Sequence, residues 1–112
     1  MTDGRFDYTE VLKSDSSGVV TSIIAHQVVP GAPLRAVLWS VLHRAWISAP
    51  GTAAGLLYND ENFDRLRNVD RDTAERAARE NLAVELPDED KLFSIAEEGE
   101  RMGWDFGPPR RS

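Results

Sequence analysis

Polar and apolar residues alternate over residues 6–12, and that period of two predicts a strand. The polar cluster from Lys13 to Gly18 has the composition of a hairpin loop longer than two residues. Residues 19–29 follow, rich in Val and Ile and free of Gly and Pro, which predicts a second strand. An isolated hairpin is marginal in water, so this one needs helices or a further strand against it. Nothing in residues 19–29 supplies a Lys or Pro to guard the outer edge.

The period then changes. Leu34, Val37, Leu38, Val41, Leu42, Ala45 and Ala49 recur at helical spacing, with Pro33 suited to a first helical turn. Trp39, His43 and Trp46 form a second stripe at i, i+4 and i+7. Only Ser40, Arg44 and Ser48 are left as a narrow polar strip. A helix apolar over most of its girth lies at the centre of a domain or under a partner. Pro50-Gly51 is expected to stop it.

Residues 52–58 read as a short helix weakened by Gly55, residues 59–62 as a turn or cap, and 63–67 as further helical turns. Asp70 or Asp72 is placed to cap a helix over 71–84, with Ala74, Ala77, Ala78 and Leu82 on its dry side. Glu75 with Arg79, and Arg76 with Glu80, stand at ion-pair spacing on its wet side. Pro87-Asp88 opens a last helix with Leu92, Ile95, Ala96 and Met102 as its apolar residues and Phe93 on a flank. Gly99 lies inside this helix and Gly103 ends it. The expected fold is therefore α+β: an N-terminal antiparallel β-hairpin followed by three to four helices packed around a central apolar helix at about 34–49. Residues 1–103 form one domain in this reading, and 104–112 an extended tail.

Composition narrows the function. A chain of 112 residues fits a single core. The absence of cysteine excludes disulfides, thiolate metal sites and cysteine nucleophiles. The first residues do not read as a secretory signal, and no run of 18 apolar residues could span a bilayer, so no membrane partner and a cytoplasmic location are expected. Nineteen acidic against 13 basic residues give a net charge of -6, which disfavours nucleic acid. Eleven of the basic residues are Arg and two are Lys, a bias of GC-rich genomes such as those of actinobacteria, or of their phages.

No catalytic signature emerges. His26 and His43 belong to no metal-ligand spacing, and no Asp or Glu lies within four residues of either. His43 reads as a core or interface residue, and His26 as a strand surface residue. Ser14, Ser16 and Ser17 lack a nucleophile elbow, and no glycine-rich phosphate cradle is present. The carboxylates stand at helix starts or on exposed faces. The expectation is a chain that is no enzyme and takes no cofactor or metal.

Residues 62–77 resemble a helix-turn-helix, with Asn68-Val69-Asp70 at the turn. That resemblance implies a DNA-binding regulator over about 62–82 that uses Arg71, Thr73, Arg76 and Arg79. Asp64 at the crowded helix contact, and the acids on the recognition helix, depart from the pattern. The order of hairpin, Leu34-Arg35 helix start and Asp-Arg-Asp-Thr helix start is similar to small baseplate components of phage tails, which would imply a virion or tail-assembly part; no diagnostic residue matches. An enzyme small subunit, with its active site completed elsewhere, is a further alternative. The leading expectation is a small assembly, adaptor or inhibitor protein. It would bind a protein partner or a second copy through Trp39, His43, Arg44 and Trp46. Whether that stripe is internal core or an interface is open at this stage.

Overall fold

The structure is a computed structural model that describes residues 6–13, 18–28, 31, 34–41, 43–59 and 64–103. The extended tail expected at 104–112 lies outside the described residues. Strand β1 (Asp7–Leu12) pairs antiparallel with β2 (Val20–Gln27), as the alternation predicts. The far edge of β2 is not open. It pairs with β3 (Arg35–Ser40), which turns back into β4 (Ala45–Ser48).

The central helix expected over 34–49 is thus a β-hairpin. Its apolar residues split between two sheet faces instead of lining one helix stripe. Val37 and Trp46 join one core, while Ala36, Leu38, Ile47 and Ala49 join the other. A strand covered on both faces shows no period of two, and a continuous apolar run can mimic a helix. The turn between the strands is held locally. Ser40 Oγ accepts from the His43 backbone N–H at 3.1 Å, and Arg44 closes the turn at φ 53°.

Pro50, which the sequence suggests as a stop, instead occupies the first turn of helix α1 (Pro50–Leu57). A strand β5 (Leu66–Val69) then pairs with the free side of β1, giving the order β4-β3-β2-β1-β5, antiparallel throughout. The helix-turn-helix reading loses its first helix at this point, because residues 66–69 are extended. Asn62 and Phe63 lie outside the described residues.

Helix α2 (Arg71–Ala77) starts at Asp70, whose carboxylate accepts from Thr73 N–H at 2.8 Å. It runs on into one wide π-helical turn, Ala78–Leu82, that ends with Ala83 in the left-handed region. Helix α3 (Glu89–Met102) is capped in the same way by Asp88 and ends at left-handed Gly103. α2 and α3 cover one sheet face through Ala74, Ala77, Ala78, Leu92 and Ala96. α1 covers the other through Ala53, Leu56 and Leu57. Met102, expected on the dry side of the last helix, is exposed.

Candidate functional site

The four residues expected at an interface fall on one hairpin. Trp39 and Trp46 are cross-strand partners, and His43 and Arg44 form the turn beside them. Ala49 N–H donates to Ala36 C=O at 2.9 Å, which marks 36/49 as a hydrogen-bonded pair. Counting three pairs along, 39/46 is a non-hydrogen-bonded pair, the type that brings side chains closest. The two indoles accordingly meet edge to face at 5.6 Å between ring centroids.

Trp46 is tied down further, its Nε1–H donating to Glu85 C=O at 3.1 Å. Trp39 is held chiefly through its main chain, where its carbonyl accepts from Ser22 Oγ at 2.8 Å. Both rings are half-buried, and Val41 beside them is 70% exposed. Glu85 also lines a hollow of about 280 Å³ with Arg79, Ala83 and Val84. Toward its other end the edge strand closes, since Ile47 and Ser48 are only 5% and 3% exposed, main chain included. The accessible part of this edge is the turn end.

The four residues expected at DNA do not act together. Arg71 is turned inward: Nη1 donates to Tyr8 Oη at 2.7 Å, Nη2 to Pro87 C=O at 2.7 Å, and Nε to Glu75 at 3.0 Å. Glu75 therefore pairs with Arg71, not with Arg79 as the helical spacing suggests. Thr73 lends its backbone N–H to the Asp70 cap, while Arg76 and Arg79 are exposed.

Arg71 belongs to a crevice of about 570 Å³ between the starts of α2 and α3 and the adjoining ends of β1 and β5. Within it, Glu89 accepts from Tyr8 Oη–H at 3.0 Å and from the Phe6 backbone at 3.3 Å. Tyr8, Arg71 and Glu89 thus satisfy one another. The Tyr8 hydroxyl is pushed up from 10.0 to about 12, chiefly by burial, with Arg71 pulling down and Glu89 pushing up. An unfolded tyrosine releases its proton near pH 10, whereas the folded one keeps it to about pH 12. Stability contributed by Tyr8 is complete below pH 10 and is lost as pH rises through this window. Chemical denaturation between pH 9 and 12 is expected to show that loss, and Tyr8→Phe to remove the Tyr8 part of the slope.

On the opposite face, Thr9 links β2 and β5. Its Oγ1 donates to Asn68 Oδ1 at 2.8 Å and lies 3.0 Å from His26 Nε2. Since the hydroxyl has one proton, Nε2 must carry the hydrogen in the second bond. Burial holds the His26 pKa below its ordinary value, against the opposing pull of Asp7. Thr9 is buried, so this chain of bonds fastens strands and presents no nucleophile. Among the described residues no group of three or more His, Asp or Glu is placed to hold a metal ion. No described helix is long and apolar enough to cross a membrane.

Comparison with protein-family models, curated proteins and solved structures finds no match to this chain.

Asp15 and Asp60 bracket residues 16–59, which contain no Asp or Glu at all. That stretch supplies β2, β3, β4 and α1 in a chain of net charge -6. It also supplies Val19, Val28, Val41 and Tyr58, four of the five large apolar residues exposed among the described residues.

Proposed function

We propose that the chain is a non-catalytic protein-interaction module that engages its partner through the turn end of the β3–β4 hairpin. The observation that carries this reading is the half-covered Trp39–Trp46 pair on an edge hairpin whose tip exposes Val41. Interface centres are depleted in charge and enriched in aromatic residues and Arg, and this end of the fold has that composition. The crevice at Tyr8 supports an enzymatic reading less well, because its central polar groups are spent on each other.

The test is selection of a displayed random-peptide library on the folded protein, followed by binding of the selected peptides to Trp39→Ala and Val41→Asp. Trp39→Ala keeps the Ser22 bond, which uses only the Trp39 carbonyl. Val41 is too exposed for its replacement to disturb the core. Val41→Asp is expected to melt close to the parent and Trp39→Ala several degrees lower through the lost ring contact with Trp46, and both to weaken peptide binding about tenfold or more. Binders indifferent to both changes, or no binders at all, would contradict the reading.

A further inference from the structure

Resting on that reading, we infer the chemistry of the partner: it is an acidic protein distinct from this chain. Its docking segment sets apolar side chains against Trp39, Val41 and Trp46 and carboxylates against Arg44 and Arg79. Three arginines of this fold are already held by carboxylates. Arg35 binds Glu100, Arg67 binds Glu10 and Arg71 binds Glu75. Arg44 and Arg79 have no ion-pair partner among the described residues. Arg44 stands exposed at the hairpin tip, and Arg79 lines the hollow next to the Glu85 carbonyl that holds Trp46. Two guanidiniums without an ion pair among the described residues therefore stand near the aromatic pair, Arg44 at the tip and Arg79 in the hollow that Glu85 also lines.

A second copy fits this surface poorly. A two-fold contact lays a patch against itself; residues 16–59 offer no carboxylate, so a second copy sets only Glu85 against the two guanidiniums of its partner. Nucleic acid fits poorly too, since two guanidiniums release few counterions and the chain carries -6 overall. The same net charge opposes an acidic partner at long range, but charges beyond about 8 Å are largely screened in physiological salt. Contacts made at the tip decide. The side of the fold formed by the acid-free residues 16–59 is then the direction from which such a partner can approach.

The composition of the selected peptides and their matched synthetic versions test this directly. Peptides that depend on Trp39 are expected to combine Asp or Glu with Leu, Ile, Phe or Trp. Replacing each Asp and Glu by Asn and Gln is expected to cost about tenfold in affinity for the parent protein. The variant Arg44→Asn with Arg79→Gln, in which Asn suits the left-handed turn position, is expected to bind both peptide versions equally weakly. Trp39-dependent peptides that bind as well after neutralisation would overturn the inference and leave the interaction module standing. Concentration-dependent self-association abolished by Trp39→Ala, or duplex DNA binding abolished by the arginine substitutions, would also overturn it. Absence of any Trp39-dependent peptide would sink both. Melting curves of each variant beside the parent separate lost contacts from lost folding.

Discussion

Gly99→Ala is expected to destabilise the protein by about 2 kcal/mol, although Ala is the better helix former by about 1 kcal/mol. Gly99 is buried on α3 where the helix crosses β4. A Cβ there would stand 2.1 Å from Ser48 Oγ and 2.3 Å from Ser48 Cβ. Rotating the serine hydroxyl away does not relieve the second contact, so backbone must move. The close approach of α3 to the sheet also orients the helix for the Arg35–Glu100 pair and for Arg35 over the Phe93 ring at 4.9 Å. Thermal unfolding should fall by roughly 10 °C for a domain of this size. Ser48→Gly in the same chain removes both clashing atoms. The double variant should regain at least about 1 kcal/mol relative to the sum of the two single changes. Additive losses would mean that α3 does not meet β4 at this point.

The second large effect is expected at Arg67. Glu10 is 2% exposed on the face of β1 that α2 covers, and its carboxylate is held by Arg67 Nε at 2.8 Å and by Nη2 of the same side chain. Arg67 itself is 55% exposed on the neighbouring edge strand β5. Removing the exposed partner strands a buried charge, so Arg67→Met is expected to cost about 3 kcal/mol in denaturant unfolding. Replacing both residues by Met should cost far less, because neither charge is then left alone. If Arg67→Met and the double change behave alike, the pair does not stabilise β5 against β1.

The parts of the fold that were legible are those with local rules. The alternation at residues 6–12 gives β1, the β-branched run gives β2, and Asp70 and Asp88 cap the helices they were expected to start. The dry side Ala74, Ala77 and Ala78 is buried as its spacing requires. Residues 34–49 were misleading for a physical reason. The β3–β4 hairpin is sandwiched between α1 and α3, so both faces are apolar and period two disappears. Its turn carries none of the usual Gly or Asn signals, because Ser40 and a left-handed Arg44 do that work. β5 is four residues long with Arg67 and Asn68 at its centre, too short and too polar to announce a strand.

The residues of the candidate site stay together on the fold, though on a hairpin and not on the helix face that their spacing suggests. Helical and hairpin geometry both bring Trp39, His43, Arg44 and Trp46 near one another, so the set survives the change of element. Arg71, by contrast, reads in the sequence as available for phosphate, because its partner Tyr8 lies 63 positions away. Long-range pairs of that kind leave no spacing to read.

A cross-link between positions 39 and 46 discriminates most sharply. The chain has no cysteine, so Trp39→Cys with Trp46→Cys introduces a single possible bridge. On the edge hairpin these positions form a close non-hydrogen-bonded pair and should oxidise in air to one intramolecular disulfide in a monomer. On a helix, seven residues separate them by about 10 Å, beyond the roughly 7 Å that a disulfide can span. Free thiols persisting in the folded, oxidised protein would contradict the hairpin, and with it the surface built around its two tryptophans.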